Sequence, residues 1–260
     1  MSDDRAAVSV IDGPANAATL VVVPPLGMPA ALMAPFTAQL AKRLRVVTVE
    51  LPGAGHADRL HPTTTRAQAA ILADAMRASC EGPAHLFGSS YGGMVAMWVA
   101  IDAPSLVSAL VLASTVARGR DAIVAEPGEK LALFARALGR GPMRVALAEA
   151  VLTEETRRSP TQTAQVERAI EASPRDDTEL LWLAAAVAAH DASGELATIH
   201  APTLVLTGAD DELVPARLQD ELAAAIPNAK RATIDEAGHA LSVDRPEASA
   251  RAVLEFLASL

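Results

Sequence analysis

Short apolar runs recur along this chain with helix-patterned segments between them, and that alternation limits the fold more than any other feature of the sequence. Leu20 to Val23, Val46 to Val49, His85 to Phe87, Leu110 to Ala113, Leu204 to Thr207 and Ala232 to Ile234 read as buried strands. Met33 to Arg43, Arg66 to Ser79, Met94 to Asp102, Ala216 to Ile226 and Pro246 to Leu260 carry helical spacing. Strands that alternate with helices predict an α/β fold, a mostly parallel twisted sheet with helices on both faces. A further strand at Ala7 to Ile11 suits an antiparallel edge position.

The rhythm breaks between Ser114 and Ala201. That interval holds no convincing strand, but it does hold amphipathic stretches at Glu129 to Leu138, Pro142 to Leu152, Thr161 to Ala172 and Thr178 to Asp191. Gly139 to Pro142 and Ser173 to Arg175 punctuate it as turns. At 260 residues the chain suits one domain with an insertion. The reading is a core of residues 1–113 and 202–260, with residues 114–201 forming a helical lid inserted before the strand that carries an acid.

Chemistry concentrates at Leu86-Phe87-Gly88-Ser89-Ser90-Tyr91-Gly92-Gly93, where Gly88-x-Ser90-x-Gly92 follows an apolar run and opens a helix. A serine hydroxyl is a poor nucleophile unless the backbone thrusts it into a cleft beside a base. A sharp strand-to-helix turn does that, and the crowding there demands small residues on both sides.

A base and an orienting acid must then come from elsewhere. Asp210 and Asp211 follow the run Leu204 to Thr207, and His239 follows Ala232 to Ile234 between small residues. Open α/β sheets place their sites at the carboxyl ends of strands, so these residues can meet Ser90. His239 is expected to take the serine proton and return it to a leaving group, with Asp211 or its rival Asp210 holding the imidazole in one tautomer. Charge on a substrate carbonyl oxygen needs fixed N–H donors, each worth about 3 kcal/mol of barrier. The Tyr91 amide is one candidate. The other lies in Pro24-Pro25-Leu26-Gly27-Met28, where the prolines have no N–H, leaving Leu26 as first choice and Gly27 as fallback.

On these residues the chain resembles members of the α/β-hydrolase fold superfamily along nearly its whole length. The order serine, acid, histidine matches that architecture. Val49-Glu50-Leu51-Pro52-Gly53-Ala54-Gly55 resembles the family's Asp-Leu-Pro-Gly-x-Gly loop, with glutamate for aspartate. Gly208 to Pro215 resembles its Gly-x-x-Asp-x-x-x-Pro loop, which implies Asp211 rather than Asp210. Ala237-Gly238-His239 resembles its histidine loop. Most members carry His-Gly where this chain has Pro24-Pro25. The resulting Pro-Leu-Gly, with Gly92-Gly93-Met94, is closer to 3-oxoadipate enol-lactonase-like members.

Composition narrows the partners. The formal charge of -9 argues against nucleic acid and against an anionic membrane surface. The apolar run Leu180 to Ala189 falls short of the roughly 20 residues that span a bilayer. The start, Met-Ser-Asp-Asp-Arg, is not a secretory signal, so a cytoplasmic location is expected. The single cysteine, Cys80, reads as structural. The histidines show no metal-ligand spacing and no phosphate loop is present, so no metal and no cofactor are expected. His56, His61, His190 and His200 read as solvated, His85 as a structural hydrogen bonder, and Glu212, Asp235, Glu236 and Asp244 as surface charges. Trp98 reads as core. Gly27, Met28 and Trp182 are the candidates to line a substrate pocket with Leu26 and Tyr91.

The expectation is a serine hydrolase acting through an acyl-enzyme on a small-molecule carboxylic ester, lactone or thioester. The same constellation also serves acyl transfer, cyclisation, C–C cleavage or perhydrolysis, and a receptor-like module that binds without turnover. Substrate identity and oligomeric state do not follow from the sequence.

Overall fold

The computed structural model describes residues 5–59, 63–124, 147–148, 151–173 and 178–260. The expected helical stretch Glu129 to Leu138, most of Pro142 to Leu152, and His61 lie outside them. Strands β1 (Ala7–Ile11), β2 (Thr19–Val23), β3 (Arg45–Glu50), β4 (Ala84–Ser89), β5 (Val107–Ala113), β6 (Thr203–Gly208) and β7 (Lys230–Ile234) form a 7-stranded sheet in the order β1-β3-β2-β4-β5-β6-β7. Only β1 runs antiparallel, pairing with β3 at the edge. Each apolar run read as a strand lies inside one of these strands.

Alternation along the strands sends side chains into two separate cores. Val21, Val23, Leu86, Leu110, Leu112 and Val205 face one way; Leu20, Val22, Phe87, Val111, Leu204 and Leu206 face the other. Of the helices, α1 (Ala34–Leu40) covers the second face, where the Phe36 and Phe87 rings lie 4.9 Å apart. The first face is covered by α2 (Thr65–Ser79) and α3 (Tyr91–Asp102). In α3 every residue from Tyr91 to Ala100 is buried, so it has no polar face.

Between β5 and β6 come α4 (Gly119–Val124), α5 (Glu154–Arg158), α6 (Pro160–Glu171) and α7 (Thr178–Ala188). The chain enters and leaves this insertion side by side: Gly119 N–H donates to the His190 carbonyl at 3.0 Å and Ala192 N–H to Ala117 at 2.9 Å. Leu183, Ala186 and Leu196 continue the first core into the insertion. After β6, α8 (Ala216–Ala225) joins the first face; α9 (Leu241–Asp244) and α10 (Pro246–Ala258) join the second.

One expectation needs correction here. His190, read as solvated, is 2 % exposed. Its Nδ1 lies 2.9 Å from the Thr65 hydroxyl, which also accepts from Trp98 Nε1 at 3.1 Å. A neutral ring can accept the Thr65 hydroxyl proton at Nδ1. Burial pushes its pKa down to about 4. Helical periodicity cannot foresee this, because His190 lies just past the end of α7, where the chain turns back to the sheet.

Candidate active site

Because β2, β4, β6 and β7 run in one direction, the loops that follow them open at one edge of the sheet. Ser90 follows β4 with φ 52 and ψ -114, a left-handed conformation that costs a non-glycine residue on the order of 1–3 kcal/mol. Three contacts hold it there. Ser90 N–H donates to the Ala113 carbonyl at 2.8 Å, and the Thr115 hydroxyl donates to the Ser90 carbonyl at 2.8 Å. The third is close packing: a Cβ on Gly88 would overlap the Gly92 carbonyl, and one on Gly92 would overlap that of Val23.

His239 Nε2 lies 2.9 Å from Ser90 Oγ, and its Nδ1 lies 3.1 Å from Asp211 Oδ2 and 3.2 Å from Oδ1. The side chain of His239 is 7 % exposed and that of Asp211 is 1 % exposed. Asp211 Oδ1 also accepts the N–H groups of Leu213 at 3.0 Å and Val214 at 2.9 Å, which fixes the carboxylate. Asp210 is exposed, its own N–H tied to the Ala237 carbonyl at 2.8 Å. Gly208 lets the acid and histidine loops close together, since a Cβ there would overlap the Ala237 and Gly238 carbonyls.

Opposite the histidine, the loop after β2 makes a turn closed by Met28 N–H on the Pro25 carbonyl at 3.0 Å, with Gly27 at φ 61. Its far end is anchored by Glu50, 6 % exposed, whose Oε1 accepts from Ala30 N–H at 2.6 Å and Oε2 from His56 N–H at 2.8 Å. The residue in which the chain departs from the family's Asp-Leu-Pro-Gly pattern is therefore a brace between two loops of the site.

Two cavities flank this constellation. One, of about 430 Å³, is bounded by Leu152, Thr153, Glu154 and Arg157 of the insertion, by Asp210, Glu212 and Leu213, and by His239. The other, of about 10 Å³, is apolar, between Pro24, Pro25, Gly27, Leu51, Pro52, Tyr91 and Leu183. Tyr91 is 3 % exposed, and its hydroxyl is buried without a hydrogen-bond partner among the described residues. Such an orphan costs about 1–3 kcal/mol. Burial also raises its pKa, so the phenol stays protonated.

The pocket expectations fare unevenly. Gly27 borders the small cavity. Met28, 5 % exposed, instead joins Leu32, Leu152, Val166 and Ile170 in a cluster that seats the insertion on the loop. Trp182 is 43 % exposed and borders neither cavity; its neighbour Leu183 is the residue turned inward. Asp244, read as a surface charge, is 2 % exposed. Its Oδ2 accepts from Gly238 N–H at 2.9 Å, and its Oδ1 from Thr153 N–H at 3.1 Å. The sequence held no signal for this beyond an acid shortly after a histidine loop. His85 pairs with the Ser108 hydroxyl at 2.8 Å, and Trp98 is buried in the first core. Among the described residues, no group of three or more His, Cys, Asp or Glu could hold a metal ion, and no helix is long and apolar enough to cross a membrane.

The model of the alpha/beta hydrolase fold family matches residues 20–246, a span that takes in every loop just described. The chain belongs to that family. The polyketide synthase ThaQ of Burkholderia thailandensis is 31% identical over 92% of this α/β hydrolase, which spans only 12% of that protein. The poly(3-hydroxyalkanoate) depolymerase of Ectopseudomonas oleovorans is 29% identical, covering 96% of this chain and 87% of that one. Among solved structures, the enol-lactonase from Burkholderia xenovorans LB400 superposes with a TM-score of 0.81 at 25% identity, over 97% of this chain and 96% of the other. The relatives include enzymes named as hydrolases, so a hydrolase role is supported at the level of the family.

Proposed function

We propose that the protein is a serine hydrolase that cleaves a carboxylic ester, lactone or thioester through an acyl-enzyme. The observation that carries this reading is the unbroken chain from Ser90 Oγ to His239 Nε2 at 2.9 Å and from His239 Nδ1 to Asp211 at 3.1 Å. His239 takes the Ser90 proton as Oγ attacks the acyl carbon. Asp211 holds the Nδ1 proton and stabilises the imidazolium. The oxyanion is received by the Tyr91 amide, at the first turn of α3 where no intrahelical partner exists, and by Leu26 in the braced turn. His239 then protonates the leaving group, and water repeats the sequence to release the acid.

The insertion serves as a lid in this reading, since Leu152 to Arg157 wall the cavity beside His239 and Leu183 closes the cavity beside Tyr91. Two of the similar proteins, a depolymerase of poly(3-hydroxyalkanoate) and an enol-lactonase, have names that point to the same bond class. No cofactor enters the scheme.

The test is intact-protein mass spectrometry after exposure to a fluorophosphonate, comparing wild type with Ser90→Ala. One adduct that vanishes in the variant is the expected result. A wild-type protein that takes up no label while hydrolysing no ester, lactone or thioester overturns the reading.

A further inference from the structure

The carbonyl of Ser90 and the amide of Tyr91 belong to one peptide group. That group is planar and trans, so its C=O and N–H point in opposite directions. In the scheme above the N–H end meets the oxyanion. The C=O end accepts three hydrogen bonds: from Gly93 N–H at 2.9 Å, Met94 N–H at 3.2 Å and the Thr115 hydroxyl at 2.8 Å. The first two come from α3 itself and move with the helix. Among the described residues, only Thr115 reaches this carbonyl from another segment, the turn that follows β5.

That turn is fixed to the sheet. Ser114, fully buried, holds φ 47, and its N–H donates to the Leu206 carbonyl of β6 at 2.9 Å. Like Ser90 it is a non-glycine residue in the left-handed region, where strain persists only if the surroundings over-determine it. Thr115 is buried against the first turn of α3. A Cβ on Gly93 would fall 2.7 Å from its Cβ and Cγ2 and 2.9 Å from its Oγ1. A valine would fill that space with the same shape, so what the hydroxyl adds is the bond to the Ser90 carbonyl.

We propose that Thr115 is a positioning residue for the oxyanion hole, acting through the Ser90–Tyr91 peptide. The proposal rests on the acyl-enzyme reading above. By holding the carbonyl, the hydroxyl sets the tilt of the peptide plane and with it the direction of the Tyr91 N–H. It also draws electron density toward the carbonyl oxygen, which makes the N–H at the other end a stronger donor. Both effects matter most when negative charge has built up on the substrate oxygen, so they favour the transition state over bound substrate. Acylation and deacylation each pass through such an oxyanion, and loss of the hydroxyl slows the two steps together.

The experiment compares wild type, Thr115→Val and Thr115→Ser in hydrolysis of p-nitrophenyl butyrate and in the rate of fluorophosphonate labelling, with thermal melting alongside. Removing an oxyanion donor outright costs about 10²- to 10³-fold, and an indirect support is expected to cost less. Thr115→Val is expected to lower kcat and the labelling rate about tenfold each, with KM within about twofold. Thr115→Ser, which keeps the hydroxyl, is expected to restore both rates to within about threefold of wild type. A valine variant as fast as wild type, or a serine variant as slow as the valine one at equal melting temperature, overturns the proposal. A rise in KM that accounts for the whole loss overturns it too. Should Thr115→Val fail to melt cooperatively, Thr115→Ala removes the hydroxyl within a smaller side chain and takes its place in every comparison. A labelled wild type with unchanged rates in the valine variant sinks the Thr115 assignment alone, whereas an unlabelled, inactive wild type sinks the serine hydrolase itself.

Discussion

Asp244 accepts the N–H of Gly238, the residue before His239, at 2.9 Å, and its other oxygen accepts from Thr153 at the start of α5. One buried carboxylate thus ties the histidine loop to the insertion. Replacing it by asparagine removes the charge and half of its accepting capacity. Asp244→Asn is expected to lose about 2 kcal/mol or more of stability in urea unfolding. It is also expected to lower kcat more than it raises KM, because the base is displaced while the cavities persist. Unchanged kcat would show that the loop holds His239 without Asp244.

In the proposed scheme Asp211 acts by holding one tautomer of His239. Asp211→Asn retains a group able to bond the Leu213 and Val214 amides but leaves an amide facing Nδ1. The expected fall in kcat on any ester substrate is on the order of 10³- to 10⁴-fold, with a folded protein by circular dichroism. Asp210→Asn, made beside it, is expected to cost far less, since Asp210 is exposed and the ring's Nδ1 is paired with Asp211. A large effect at Asp210 would reassign the acid.

Gly92 is where α3 meets the loop after β2, because a Cβ there would overlap the backbone carbonyl of Val23 and crowd that of Pro24. Neither is the end of a flexible side chain, so the backbone itself must move. Gly92→Ala is expected to cost about 2 kcal/mol or more and to separate Leu26 from the Tyr91 amide. Thermal melting and fluorophosphonate labelling rate read the two effects separately; a variant equal to wild type in both would mean that the loop yields freely.

His190 predicts a pH dependence of stability. Its pKa is lowered to about 4 in the folded state against an ordinary value of 6.5, through burial against Thr65 and Trp98, which the Val116 carbonyl and the charge of Asp191 offset only in part. The unfolded chain therefore binds the proton more tightly, and protonation favours unfolding. The contribution is complete above about pH 6.5 and is lost as pH falls toward 4, amounting to about 3 kcal/mol at most. Urea unfolding at pH 7 and pH 4.5 should show a steeper loss for wild type than for His190→Gln. Parallel losses would mean that the imidazole escapes to solvent without unfolding.

Much of this protein was legible without coordinates. Six of the seven strands follow from short apolar runs, and Ala7–Ile11, expected as an antiparallel edge, is exposed along most of its length as an edge strand can be. The loops that carry Ser90, Asp211 and His239 follow from Gly-rich segments past strand ends, since a parallel sheet brings all such ends to one edge. What local pattern does not carry is which polar side chain becomes buried. Asp244 and His190 have the neighbours of surface residues in sequence, and only the insertion, folding back over the sheet, removes them from water. The same holds for Trp182, turned outward, and for Tyr91, whose hydroxyl is buried without a partner among the described residues. Strands, turns and motifs are set by neighbours along the backbone, whereas burial and partnership are set by contacts that close only when distant segments pack.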